Sequence, residues 1–207
     1  MTTNNTIAKG LDPATSSSQP FLWPILKSFL PQNKQINILD IGCGSGIHSH
    51  RMAALGHKVI GTDVSEEALV VARKKAPAVR FICTDIHNLP WAEIEGRLDV
   101  AISMEVIEHL YYPRSLLQAA WRSLRPSGTF ILSTPYHGYL KNLILSLLNH
   151  WDKHFNVADD GWHIKFFSPN TLRRLLVEEG FVDIEFRFGG RLPLLWKSMV
   201  CRSIKPN

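Results

Sequence analysis

With 207 residues, 45% of them apolar and 20% charged, the chain has the length and balance of one soluble globular domain large enough to bury its own core. Its first ten residues lack the basic-then-apolar order of a signal peptide, and no uninterrupted apolar stretch is long enough to cross a bilayer, so the expected location is the cytoplasm. A net charge of +5 admits nucleic acid or an anionic membrane as partner, but the basic residues are scattered, and their one tight group, Arg73-Lys74-Lys75, falls where a helix should end and complements its dipole.

Residues 1–20, rich in Thr, Asn, Ser and Pro, read as a disordered tail ahead of a single domain over 21–207. Residues 21–30 form a short apolar helix between Pro24, near its start, and Pro31. Residues 36–46 then read Ile-Asn-Ile-Leu-Asp-Ile-Gly-Cys-Gly-Ser-Gly. A short strand ends at Asp40, and Gly42, Gly44 and Gly46 turn the chain into a helix over 47–55 that Gly56 closes. Glycines suit that turn because the backbone bends sharply there and a ligand can approach with no Cβ in the way. Asp40 bears on which ligand. A pyrophosphate set against the turn and the helix N-terminus would be repelled by a carboxylate, whereas a ligand carrying an ammonium and a sulfonium would be attracted. S-adenosylmethionine (SAM) is such a ligand.

The second strand covers 58–63. Its terminal Asp63, followed by Val64, lies twenty-three residues after Asp40, close to the spacing at which an acid grips ribose hydroxyls. Ser65 caps the next helix, whose first turn holds Glu66 and Glu67. A third strand over 79–83 precedes Asp85 and Ile86, and a fourth over 98–103 opens into Met104-Glu105-Val106-Ile107-Glu108-His109. A helix over 115–124, a Pro126-Ser127-Gly128 turn and a fifth strand over 129–134 follow. This alternation implies right-handed crossovers and a doubly wound, parallel α/β sheet with helices on both faces. Ligands of such sheets sit at the carboxyl ends of the strands, where Asp40, Asp63, Asp85 and Glu105 all fall.

Residues 136–167 break the alternation after the fifth strand and are expected to form a lid over the acceptor. The apolar run 140–148, flanked by Tyr139 and Trp151, has two readings. Packing on the domain is favoured. The other is an entrance for an aromatic or prenylated acceptor, with at most peripheral membrane contact near Lys141 and Lys153. His137, His154 and His163 are second-rank candidates for acceptor contact, and Asp159 and Asp160 lie in the same stretch. Ser168-Pro169 starts a helix that Gly180 stops, and strands over 181–188 and 196–204 end the chain. Cys43 lies in the glycine turn, while Cys83 and Cys201, in strand-like runs, are expected to be small buried hydrophobes in a reduced protein.

The string Asp40-x-Gly42-x-Gly44-x-Gly46 resembles the first motif of class I SAM-dependent methyltransferases. Glu-Val-Ile-Glu-His at 105–109 and Leu-Arg-Pro-Ser-Gly at 124–128 extend the likeness over about residues 36–134. They resemble the ubiquinone-biosynthesis O-methyltransferases and their small relatives, and His163-Ile164-Lys165-Phe166 is similar to a string before the last helix of those enzymes. The resemblance implies a Rossmann-like, seven-stranded, mostly parallel sheet whose last strand inserts antiparallel. It also implies a SAM site. Asp40 and the three glycines would meet the methionine end, Asp63 the ribose, and Asp85 and Ile86 the adenine, with Val64 and Met104 as further cofactor contacts.

The expected reaction is methyl transfer to a small-molecule acceptor, most readily at a quinol or phenol hydroxyl. A phenol, with a pKa of about 10, needs a general base or a metal. His109 is the expected base, with Glu105 as its orienter. In some members of the family a Glu-x-x-Glu-His segment is associated with a divalent cation, which would make Glu105, Glu108 and His109 ligands of an ion such as Mg. Rival readings are an N- or C-methyltransferase, a SAM-binding interaction protein without turnover, and a dinucleotide oxidoreductase, which calorimetry with SAM and with NAD separates. Nucleic acid is not an expected partner. Thr134-Pro135-Tyr136 follows the fifth strand rather than the fourth, and there is no aromatic-basic platform.

Overall fold

A computed structural model describes residues 19–31, 34–155, 158, 162–190 and 192–207. The expected tail lies outside the described residues, except that Gln19 and Pro20 open the first helix. The elements run α1 (Gln19–Phe29), β1 (Asn37–Ile41), α2 (Ile47–Ala54), β2 (Lys58–Asp63), α3 (Glu66–Lys75), β3 (Arg80–Cys83), α4 (Trp91–Ile94) and β4 (Leu98–Met104). After a single 3-10 turn (Ile107–His109) come α5 (Arg114–Ser123), β5 (Leu124–Pro135), α6 (Tyr139–Leu147), α7 (Trp151–His154), α8 (Pro169–Glu178), β6 (Val182–Gly189) and β7 (Ser198–Ile204).

The seven strands form one sheet in the order β3-β2-β1-β4-β5-β7-β6. The first five are parallel, and β7 runs antiparallel to both β5 and β6, as the family resemblance implies. The strand order reverses between β1 and β4, so crossovers leave on opposite sides and a crevice opens at their carboxyl ends.

Side-chain alternation along β1 builds the two faces. Ile36 and Ile38 pack with Leu22 and Leu26 of α1, Met52 of α2 and Leu69 of α3, while Leu39 and Ile41 join Leu116 and Ala120 of α5 and Leu172 and Leu176 of α8. Central strands are therefore apolar on both sides, the pattern of a sheet covered by helices. Local signals hold where they were read. Ser65 Oγ accepts the Ala68 N–H, Ser168 and Thr171 make a reciprocal capping box, and Gly56 and Gly180 both close helices at φ 89°.

Two expectations need correction. Cys83 is exposed, because β3 is the edge strand and only alternate residues of it reach the core. The run 140–148 is only partly packed: on α6, Leu140, Leu143 and Leu147 lie along an exposed stripe, Leu147 at 74%. The 136–167 segment is pinned at both ends by a bridge between Tyr136 and Phe167 and by the His137 N–H donating to Phe167 O at 3.2 Å. Asp159 and Asp160 lie outside the described residues. No helix among the described residues is long and apolar enough to cross a membrane.

Candidate active site

The glycine turn is built as its composition demands. Gly42, Gly44 and Gly46 have φ of 73°, 52° and 73°, a region where an L side chain costs about 1–2 kcal/mol. Two of them also admit protein neighbours. A Cβ on Gly42 would stand 2.6 Å from Val106 Cγ2, and one on Gly46 2.8 Å from Ala72 Cβ and 2.9 Å from Phe81 Cζ. The turn is thus wedged between the end of β4 and the α3–β3 layer. Thr62 O accepts the N–H groups of Gly42 (2.8 Å) and Cys43 (3.0 Å).

The acid that touches this turn is Asp63. Its Oδ2 accepts the Gly44 N–H at 2.8 Å and its Oδ1 the Ser65 N–H at 2.9 Å, so one carboxylate fixes both the turn and the cap of α3. Asp40 corrects the electrostatic argument from sequence. It shares the face of β1 that carries Ile36 and Ile38, so its side chain points inward at α2, where Ser49 Oγ donates to its Oδ2 at 2.5 Å. The residue is 1% exposed. Burial pushes its pKa up to about 7, offset only in part by Ser49, so Asp40 presents no full negative charge to the crevice.

Asp85 closes a turn of its own. Oδ1 accepts the N–H groups of His87 (2.7 Å) and Asn88 (3.1 Å) and Oδ2 the Asn88 side chain (2.7 Å), bonds that hold the carboxyl below its usual range. Val64 is exposed at the end of β2, Ile86 leans on the core beneath Asp85, and Met104 is buried. The strand-end acids therefore line up along the carboxyl edge of the sheet, with Asp40 turned away from it.

Beyond β4 the backbone departs from the single helical turn on which Glu105, Glu108 and His109 were expected to converge. Glu105 has φ 56° and Val106 φ −125°, and helical geometry begins only at Ile107. Glu105 is consequently drawn to β5. Its Oε1 accepts the Ser133 hydroxyl at 2.8 Å, and burial raises its pKa to about 7 against the opposing pull of Ser133 and Lys197. It partners Ser133 rather than orienting His109.

Glu108 is fully buried, and neither carboxylate oxygen accepts a hydrogen bond. His109 Nε2 lies 4.0 Å and His163 Nε2 3.9 Å from its Oε1, and the two rings meet edge to face at 4.8 Å. One ligand atom from each of the three residues falls within 4.8 Å of the others. Burial, reinforced by Glu105, raises the Glu108 pKa well above the carboxylate range. Burial also pushes His163 down to about 4, leaving its imidazole neutral with a free lone pair. The backbone holds this pairing, since the N–H groups of Ile164 and Lys165 both donate to Glu108 O, at 2.9 and 3.0 Å.

An orphaned buried carboxylate beside two imidazoles fits a divalent cation. Ligand atoms around a tetrahedral ion at about 2.1 Å stand roughly 3.4 Å apart, so side-chain rotations of about an ångström would close the set. Of the residues expected as ligands, Glu108 and His109 lie together with His163, while Glu105 is bonded to Ser133. Sequence spacing alone did not pair residues 108 and 163; the visible signal was the His-x-Lys-Phe string. His137 and His154 are not among these three; they pack against each other and Phe155, and His137 also against Phe166. Beside α6, Lys141, Ile144, Leu145, Leu192 and Leu195 line a largely apolar cavity of about 420 Å³, and the buried Lys141 Nζ donates to Tyr136 O at 2.7 Å.

Residues 39–132 match the family model described as a methyltransferase domain. The chain is 33% identical, over 72% of its length and 56% of the relative's, to the mitochondrial ubiquinone biosynthesis O-methyltransferase of Schizosaccharomyces pombe. It is 30% identical, over 83% of its length and 71% of the relative's, to the ubiquinone biosynthesis O-methyltransferase of Cereibacter sphaeroides. It thus spans little more than half of the first relative and under three quarters of the second. Among solved structures, a Haloferax volcanii protein described as a putative methyltransferase, in complex with the Trm112 activator, superposes with a TM-score of 0.71 at 18% identity, over 92% of both chains. With the glycine turn, the strand-end acids and the antiparallel seventh strand in place, these matches establish that the chain belongs to the class I SAM-dependent methyltransferases.

Proposed function

We propose that this chain transfers the methyl group of SAM to a hydroxyl of a small, partly apolar acceptor of the quinol or phenol type. The observation that carries the reading is the position of His109. It leaves β4 at the switch point of the sheet, 32% exposed, with Glu108 buried on one side and His163 on the other. The names of the relatives, which specify O-methylation in ubiquinone biosynthesis, support a hydroxyl acceptor. The apolar cavity beside α6 offers room for an aromatic or prenylated body.

Transfer from a sulfonium is an in-line displacement, in which the acceptor oxygen bonds to the methyl carbon as the carbon–sulfur bond breaks and the hydroxyl proton leaves. Alignment and removal of that proton are what the protein supplies. We assign the glycine turn to the amino-acid end of SAM, Asp63 to the ribose and Asp85 to the adenine edge, with Val64, Ile86 and Met104 as apolar wall. Asp40 supports the turn from behind through Ser49. His109 faces the acceptor hydroxyl, accepting its proton or, with Glu108, holding a divalent cation. Bound there, such an ion would act as a Lewis acid that lowers the hydroxyl pKa.

The test is a methyl-transfer screen with labelled SAM over quinols, phenols, carboxylic acids and amines, run with chelator and again with Mg, Mn or Zn. Label appearing on amines alone would overturn O-methylation. SAM binding with no acceptor labelled, and with His109 replaceable at no cost, would make the chain a non-catalytic binder.

A further inference from the structure

We infer that Arg51 and His48, the residues of α2 that face Trp23 of α1, hold the carboxylate of the SAM methionine tail. The inference rests on placing that tail at the glycine turn and names the side chains that receive its acid.

Where α2 leaves the turn, four buried polar atoms have no hydrogen-bond partner among the described residues: Ser45 Oγ, both ring nitrogens of His48, and Arg51 Nη1. Ser45 lies within the turn itself, and His48 stands on the first turn of α2 at 5% exposure. Arg51 lies three residues further on the same face, and helix side chains lean toward the N-terminus, so its guanidinium reaches back toward His48. One aromatic ring gathers the two, the Trp23 centroid lying 6.2 Å from the His48 ring and 5.4 Å from Arg51 Cζ. Phe21 packs against Gly189 at the end of β6, which runs in the same direction as β5, so the start of α1 stands at the carboxyl edge of the sheet with the glycine turn. A buried polar group without a partner is costly, and the four together mark a place built for a ligand.

The donors decide which part of the cofactor goes there. Burial, reinforced by the Arg51 charge, pushes the His48 pKa down to about 4, so its imidazole is neutral and offers one N–H beside the guanidinium. A guanidinium fork, an imidazole N–H and a hydroxyl suit a carboxylate, and the carboxylate is the one negative group on SAM. Asp40 does not oppose it, being turned inward on Ser49.

The experiment is calorimetry of the full chain with SAM, with decarboxylated SAM and with 5′-methylthioadenosine, which lacks the whole amino-acid end. Wild type should bind SAM most tightly. Arg51→Met should weaken SAM about 10- to 100-fold, the cost of losing a hydrogen bond between charged groups, and leave the other two ligands unchanged, which also reports an intact fold. Arg51→Lys should recover part of the loss, and His48→Leu should weaken SAM alone by a smaller factor. If Arg51→Met and His48→Leu bind SAM as wild type does, or if Arg51→Met weakens all three ligands alike, the inference is overturned and the placement of the tail at the glycine turn stands. If wild type binds SAM no better than 5′-methylthioadenosine, that placement is overturned as well.

Discussion

The glycine turn and the end of β4 lie side by side, yet they are built on opposite principles. In the turn, the conformation of each residue follows from its own identity, three glycines at positive φ, and the end of the neighbouring strand fastens it by one carboxylate, Asp63, which bonds Gly44 and Ser65. At the end of β4 the chemistry depends on partners from far along the chain. Glu105 meets Ser133 twenty-eight residues on, and Glu108 meets His163. The first region is shaped by its backbone. The second works by juxtaposing side chains, so the two should fail differently under substitution.

Four substitutions break or sharpen that contrast. The largest effect belongs to His109→Ala, expected to slow turnover by about 10²- to 10⁴-fold, the range for loss of a general acid–base group. SAM affinity by calorimetry should stay near normal; an equal fall in both would place His109 in the cofactor site. Gly46→Ala should act in the opposite sense, on folding and SAM binding together. Strain at φ 73° and a Cβ driven into Ala72 and Phe81 should cost roughly 2–5 kcal/mol in urea denaturation.

Asp40→Asn tests the buried acid. Its folded pKa, raised to about 7, means that the folded state holds the proton to higher pH than the unfolded chain does. Its contribution is therefore full below the unfolded pKa and lost as pH rises through the folded value. Wild type should lose up to about 4 kcal/mol from this group between pH 4 and pH 8, a loss that Asp40→Asn should spare. Melting both proteins at pH 5 and pH 8 measures it, and parallel pH profiles would show that Asp40 is ionised throughout. Leu147→Glu, on the exposed stripe of α6, should change stability by less than about 0.5 kcal/mol. Liposome sedimentation of the same variant gives the functional half of the test, since unchanged partitioning would remove the membrane reading of that helix.

Much of the molecule was legible in the primary structure. The alternation of strands and helices, the helix caps, the glycine conformations and the line of acids at strand ends all rest on local pattern, which a reader can follow one residue at a time. The site was legible only in part, and Asp40 shows why. Its place in the motif identified the family, but the inference that its charge faces a cationic ligand required knowing which side of β1 it occupies. Alternation with Ile36 and Ile38 puts Asp40 on one face of a strand that is apolar on both, and only the fold shows that α2 covers that face and supplies Ser49. Glu105 and Glu108 show a second kind of gap. A spacing of three suggests a shared helical face, yet one residue at positive φ before a 3-10 turn sends Glu105 to Ser133 of β5 and leaves Glu108 facing His163.

The sequence by itself determined the order of elements, the glycine conformations and the helix caps, because these depend on φ preferences and on partners within a few residues. Only the tertiary structure decided that Asp40 is shielded by Ser49, that Glu105 belongs to Ser133, and that His163 returns across fifty-five residues to face Glu108. Burial and long-range contact set the charge and the partners of an acid, and neither is a property of its neighbours in the chain.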